Sequence, residues 1–462
     1  MSKKSKCLKF LKNSSESTKS TYAYTIKAYE EFHKASIDDL VCEALDEQTK
    51  QVPHHLLKVV ERIEDFQDHM IEQGYLMTTI GIYVSRIKTV YRKNRVDLPY
   101  IESLNPKQLN KRDYIEYKDM LTKDELRRAY SLMRPSAQAR LMVMIQGGLS
   151  SEECEHLTTR AFIDELKPYH QKDNDVDALR WLADKNHPVI WVTKLIRIKT
   201  GKPYYAIIGA EAVNAVAMAK LHEREMPKNK GEIPNKLLDY HKLSFNRTCV
   251  DVNNALGLGY IGAIHHNELT DENGCITIRK KLFSRLNMIS EVNYEVIKKD
   301  DVVVISTDAP NTEIEFELGG QSKLRPHMCR KFHATFISGS ALNYEEQSII
   351  TNAEIDEMQG RGKTNVQDTY IKTNPLRQKT LYAKVMNNVS LWNTYNYKIV
   401  DNDVVVELDD PFKKNKELKN EVEFLEKKLE QKKIVSDKVN ALRKELGDDV
   451  FKEMIGEILN AS

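Results

Sequence analysis

The sequence predicts a mainly α protein with small β-sheets, an α+β chain closed by one long charged helix. Three observations carry that expectation. Apolar residues recur at helical spacing through the first hundred residues, Val- and Ile-rich alternating segments with turn residues cluster near 188–210 and 260–320, and the last fifty residues set a Leu/Val seam among Lys and Glu. A length of 462 residues with 41% hydrophobic content is enough for two or three folded units.

The first sixteen residues read as a basic tail, with Lys3, Lys4, Lys6, Lys9 and Lys12 unopposed by any acid in the first twelve. From 17 to 106 the pattern is helical. Tyr22, Ile26, Tyr29 and Phe32 share one helical face behind Ser/Thr capping candidates; residues 56–72 and 78–92 repeat the pattern, the last with Ile80, Val84, Ile87 and Tyr91 on one face and Arg86, Lys88, Arg92 and Lys93 elsewhere. This unit is expected to be all-helical with a basic side. Residues 107–120 are polar and read as a linker.

A second unit is expected over 121–398. Thr122-Lys-Asp-Glu125 is a capping box before a helical run, and Gly147-Gly148 breaks the helix that follows. The stretch SSEECEHLT reads as a further helix. PVIWVTKLIRI and PYYAIIG read as two strands joined through Lys199-Thr-Gly-Lys202, with helices at 211–225 and 242–257. Residues 260–320 are expected to be a β-rich insertion. The segments YEVIKKDDVVVI and YKIVDNDVVVEL echo each other with one residue gapped and suggest two similar hairpins. A β segment or linker at 399–411 leads to a coiled-coil or amphipathic helix at 412–462, where Leu418, Val422, Leu425 and Leu429, then Val435, Val439, Leu442 and Leu446, form a seam with one phase slip.

Composition excludes several classes. A charged fraction of 30% with a net charge of +2 hides local basic runs, so a polyanionic partner stays open. Six scattered cysteines without a C-x-x-C pair give neither a zinc site nor a disulfide framework. No apolar run reaches membrane-spanning length and the lysine-rich start lacks a signal-peptide core, so a soluble, cytoplasmic protein without membrane attachment is expected.

Chemistry concentrates in two segments, RPHMCRKFHATF at 325–336 and MQGRGKTNVQDTYIK at 358–372. A tyrosine hydroxyl can attack phosphorus and store a phosphodiester as a covalent phosphotyrosine. The attack loads charge onto the non-bridging oxygens, which calls for arginine forks and a histidine donor, while a lysine can protonate the leaving oxygen. His327, Arg330, Tyr370 and a hairpin lysine, Lys199 with Lys202 or Lys194 as alternatives, supply that set. The chemistry needs no metal or other cofactor. Basic residues Arg361, Lys363, Lys372, Arg377, Lys379 and Lys384 face only Asp368 over 361–384, and Lys331 lies in the first segment; with Arg86, Lys88 and Arg92 they are candidates for contacting a nucleic-acid backbone.

In the order of these segments the chain resembles the tyrosine recombinases, or phage integrase family, over most of 17–390. The helical unit looks like the family's core-binding domain, LTKDEL like the start of its catalytic domain, IKTGKPYYAII like its hairpin-lysine segment, RPHMCRKFHATF like its H-x-x-R box and DTYIK like its nucleophile segment. The resemblance implies a DNA recombinase that cleaves double-stranded DNA through a 3′-phosphotyrosine at Tyr370 and works as a homo-oligomer on DNA. Two departures bear on activity. Ser150 stands where the family has its first arginine, although Glu153 and Leu157 keep the frame, and Arg361 stands where it has a histidine. In both features the chain resembles archaeal-type integrases. Arg140 or Arg160 could replace the missing arginine; without replacement, the implied protein is a DNA-binding derivative with impaired chemistry. A third reading is a structural or interaction protein dominated by the coiled-coil tail, which through 412–462 would self-associate or pair with a partner helix. Cys329 is expected to be a packed residue, and His333, His265 and His266 surface or core residues.

Overall fold

The computed structural model describes residues 6–53, 56–73, 75, 77–101, 115–279, 286–299, 302–338, 350–361, 374–401, 403–409 and 444. These residues form a mixed α+β protein with several helices and small open sheets. Two compact units divide the chain, one made of 1–120 with 253–324, the other of 121–252 with 325–462.

Four helices open the first unit: α1 (Glu16–His33), α2 (Ile37–Thr49), α3 (Lys58–Glu72) and α4 (Met77–Lys93). Ser15 caps α1 by accepting from the Thr18 N–H, and Ser36 caps α2 by accepting from the Asp39 N–H. Helix α2 was not singled out from sequence, although Ile37, Leu40, Val41 and Ala44 repeat at helical spacing and are all buried. The expected face of α4 is the core face: Ile80, Val84, Ile87 and Tyr91 join Ile26, Tyr29, Ile63, Phe66 and Met70 in one apolar cluster. The segment read as a basic tail is partly built into this unit. Lys6–Leu11 forms a 3₁₀ turn whose Cys7 and Leu11 are buried and whose first N–H groups donate to Asp38.

The second unit begins with α5 (Lys123–Leu132), where the Thr122/Glu125 capping box closes with both bonds in place. Helix α6 (Pro135–Gly147) is buried almost throughout and ends at Gly148 with φ 63°. A Cβ on Gly148 would lie 2.4 Å from the His333 ring, so close packing as well as the left-handed backbone demands glycine. The helix expected at SSEECEHLT is only a 3₁₀ turn, Glu153–His156. Leu157 is already extended, its carbonyl accepts from the Leu237 N–H, and Thr158 bridges Lys236 and caps α7 (Thr159–His170), so the chain has no room to continue coiling.

After α8 (Asp175–Ala183), strands β1 (Trp191–Ile196) and β2 (Pro203–Ile208) pair antiparallel, Ile196 opposite Pro203, and α9 (Ala210–Glu225) and α10 (Lys242–Ala255) follow. The Arg197 N–H donates to the Lys202 carbonyl at 2.8 Å, and Gly201 takes φ 69° in the turn. Residues 260–322 are β-rich as expected. Strands β3 (Tyr260–Leu269), β5 (Leu286–Met288) and β8 (Glu313–Ser322) form one sheet, and β4 (Cys275–Arg279), β6 (Tyr294–Lys298) and β7 (Val302–Thr307) another. Ile276, Ile278, Ile305, Ile314, Phe316 and Leu318 from both sheets share one core.

Helices α11 (Pro326–Ile337), α12 (Asn352–Met358) and α13 (Pro375–Val389) and the hairpin β9 (Tyr395–Val400) with β10 (Asp403–Leu408) complete the second unit. The two echoing segments are both antiparallel hairpins. Their registers differ, however, since Tyr294 lies opposite Thr307 whereas Tyr397 lies opposite Val406, so they share a strand composition and not a pairing scheme. The tail seam lies outside the described residues. Among those residues no helix is long and apolar enough to cross a membrane.

Candidate functional site

Four short segments of the second unit meet around one carboxylate, that of Glu153. The first is the turn after α6. Ser150 donates its backbone N–H to Glu153 Oε2 at 2.7 Å and accepts the Glu153 N–H on its hydroxyl at 3.3 Å, a reciprocal pair that fixes the carboxylate. The second is α11, where Arg330 donates from Nη1 to the same Oε2 at 3.0 Å and from Nη2 to the Gln359 carbonyl at 2.6 Å. The third is the end of the β1 strand: Arg197 Nη1 lies 3.7 Å from Glu153 Oε1 and donates to the same Gln359 carbonyl at 2.5 Å. The fourth is the turn after α12, which carries Gln359, Gly360 and Arg361. Gly360 has φ 62° and packs on the Tyr204 ring at a distance that excludes any side chain.

The cluster is strongly cationic. Arg325, Arg330, Lys331 and Arg361 all act on His327, whose pKa lies below the ordinary imidazole value, first through desolvation and then through these charges, Lys331 foremost. Lys331 is itself lowered by desolvation and by Arg325 and Arg361. Burial pushes the Tyr204 hydroxyl far above the usual phenol range, with the Glu153 charge as the next cause. Among the described residues, Arg330, Arg197, Lys331 and Arg361 stand here against Glu153 and against Asp356, which lies 3.5 Å from Arg361. Such a surplus attracts a dianion or phosphodiester, and arginine's planar fork matches phosphate oxygens.

His327, Arg330, Lys331 and Arg361 are thus brought together, and Ser150 borders the same carboxylate. Lys199 lies on the exposed turn two residues beyond Arg197. Tyr370 and Lys363, together with Lys372, lie outside the described residues. Cys329 is buried, its thiol pushed up to about 12 by desolvation, which makes it a packed and unreactive residue. His333 is buried in the core, donating from Nδ1 to the Ile145 carbonyl at 3.2 Å.

Several candidate contacts point elsewhere. Arg140 is fully buried and held by Glu155, Ser151 and the Tyr240 carbonyl, and Arg160 pairs with Asp164 on the surface, so neither takes the place left by Ser150. Lys379 is buried between Asp403 and the Tyr169 hydroxyl, which removes it from the basic surface expected over 361–384, whereas Arg377 stays exposed while pairing with Glu354. In the first unit Arg86 donates to Thr25 and the Thr21 carbonyl and Lys88 to the Ile101 carbonyl, leaving Arg92 as the exposed member of that trio.

Arg197 escaped the sequence reading, yet alternation along β1 marks it. Trp191 and Thr193 face inward, Lys194 and Ile196 outward, and counting by two from Trp191 reaches Arg197 on the inward face.

No protein-family model and no curated protein matches the chain. Among solved structures it is similar to the crystal structure of XerA recombinase, at 14% identity and a TM-score of 0.27, over 79% of this chain and 90% of that one. A likeness this distant assigns no role to any residue.

Proposed function

We propose that the cluster around Glu153 binds a DNA phosphodiester and that the chain is a site-specific DNA recombinase acting through Tyr370. The observation that carries this reading is the convergence of Arg330 and Arg197, from separate segments, on one carboxylate and one carbonyl, with Lys331 and Arg361 close enough to act on His327 beside them. Cations gathered so closely repel one another; a bound phosphate relieves the repulsion, and the pair of guanidinium groups stabilises the charge that grows on its oxygens during attack. In the proposed step the Tyr370 hydroxyl gives up its proton to water as its oxygen bonds to phosphorus, the bond from phosphorus to the 5′ oxygen breaks, and the departing oxygen takes a proton from Lys199. A 3′-phosphotyrosine results, and the reverse attack by a 5′ hydroxyl rejoins the strand. Burial and the neighbouring cations hold His327 below the ordinary imidazole value, which favours its role as a hydrogen-bonding group over that of a charge.

A second reading, a DNA-binding protein with lost turnover, is favoured by one observation: the Ser150 hydroxyl is engaged by the Glu153 N–H and carries no charge. One experiment separates the two. Nicked duplexes covering the candidate attachment sequences are incubated with the protein, denatured and examined for protein joined to DNA, with Tyr370→Phe alongside. An adduct that disappears in Tyr370→Phe is the expected result. Sequence-selective binding without any adduct would support the second reading, and absence of DNA binding would reject both.

A further inference from the structure

We infer that Arg197 is the phosphate-binding guanidinium that stands in for the charge missing at position 150. This inference rests on the reading of the Glu153 cluster as a phosphate site. Position 150 opens onto Glu153 Oε2, the oxygen that Arg330 also contacts. Arg197 comes to the same carboxylate from its other side, at Oε1, and shares the Gln359 carbonyl with Arg330. Two guanidinium groups therefore hang from the same two acceptors, side by side, which is the arrangement a phosphodiester with two non-bridging oxygens requires.

The other cations of the neighbourhood fit the role less well. Arg140 and Arg160 are committed to Glu155 and Asp164. Arg361 is drawn towards Asp356, and Lys194 and Lys199 are on the outward face or the exposed turn. Arg197 combines anchorage with access. Its backbone is fixed at the mouth of the hairpin by the bond to Lys202 and by accepting from Thr200 and Gly201, and its side chain keeps 17% exposure. Its hydrogen bond to the Gln359 carbonyl uses Nη1, and among the described residues Nε and Nη2 have no acceptor.

The test uses the full chain and inorganic phosphate as the probe, with binding followed by calorimetry against a chloride control and folding checked by thermal melting. Arg197→Ala is expected to weaken phosphate roughly 10- to 100-fold, the range for loss of a hydrogen bond to a charged group. Arg197→Lys, which keeps the charge without the fork, should fall between, and it serves where the alanine variant does not fold. The decisive variant is Ser150→Arg combined with Arg197→Ala: a guanidinium restored at position 150 should recover most of the lost affinity. A structural role for Arg197 would not be rescued in this way. If Arg197→Ala and Arg197→Lys bind phosphate as the wild type does while Arg330→Ala does not, the inference is overturned and the site stands. Failure of the double variant to recover overturns the equivalence with position 150. If the wild type itself binds phosphate no better than chloride, the phosphate-site reading fails and carries this inference with it.

Discussion

Replacing Glu153 by glutamine separates stability from anion binding, because the two should move in opposite directions. The carboxylate is 3% exposed, bonded to Arg330 at 3.0 Å and to the Ser150 N–H at 2.7 Å, with Arg197 at 3.7 Å. The amide keeps the shape but removes the negative charge between two guanidinium groups. Breaking a buried pair on one side costs about 3–5 kcal/mol, and the Gln359 carbonyl, which still receives both arginines, holds the loss near the lower end. At roughly 2–4 °C per kcal/mol for a unit of this size, melting should fall by roughly 6–12 °C. The same change removes a repulsive charge from the anion. A unit charge roughly 6 Å away in an effective dielectric of about 20 is worth about 3 kcal/mol, and solvent screening leaves at least a tenfold gain in phosphate affinity as the expected result.

Thermal melting and phosphate calorimetry on Glu153→Gln read the two quantities independently. A variant that melts lower and binds phosphate more tightly is the expected outcome, with recovered melting when phosphate is added, since a ligand that binds only the folded state stabilises it. A variant that loses stability and phosphate binding together would mean that Glu153 positions the arginines and does not merely oppose the anion. Unchanged values in both would refute the ion-pair account of the cluster.

Other consequences follow from the surroundings of the site. Burial lowers the His333 pKa from 6.5 to about 3, so the unfolded chain takes up protons that the folded chain refuses; stability should fall as pH drops below about 6.5 and continue falling towards 3, by about 2 kcal/mol at pH 5, and His333→Gln should flatten that slope in denaturant titrations. Gly148→Ala should destabilise the protein by about 2–4 kcal/mol, combining a left-handed backbone with a Cβ 2.4 Å from the His333 ring, measurable as a lower denaturation midpoint. Arg140→Leu should cost about 3 kcal/mol or more because Glu155 and two backbone carbonyls lose a buried partner, yet the folded fraction should bind phosphate as the wild type does. Arg160→Ala should change stability by less than about 1 kcal/mol and leave phosphate binding unaltered.

How much of this was legible in the sequence depended on whether one local rule decided the outcome. The core face of α4 followed from helical spacing alone, and the end of α6 from the Gly147-Gly148 pair. The hairpin followed from β-branched alternation around Thr-Gly. SSEECEHLT failed because its composition permits a helix while the bridge between Thr158 and Lys236 draws the chain straight. Lys379 failed for a related reason: a charge count treats every cation as solvent-facing, whereas Lys379 is buried against Asp403, which lies far along the chain. Arg197 was legible in principle, through the inward phase set by Trp191, but a search for the hairpin cation nearest the Thr-Gly turn leads to Lys199.

Ser150 and Arg197 are best understood as one adjustment made through Glu153. An arginine at position 150 would bring a charge to the carboxylate but no short side-chain oxygen to accept the Glu153 N–H. Serine supplies that oxygen, and the reciprocal bonds hold Glu153 against the turn, an arrangement of the kind worth about 1 kcal/mol at helix starts. The carboxylate so fixed turns Oε1 to the side on which Arg197 arrives from the hairpin. Under the proposal made above, Arg197 supplies, from a strand whose own backbone hydrogen bonds fix where it ends, the charge that Ser150 does not carry. On that proposal the hairpin, and not the turn, delivers the guanidinium, and the positive field at the Glu153 site is kept.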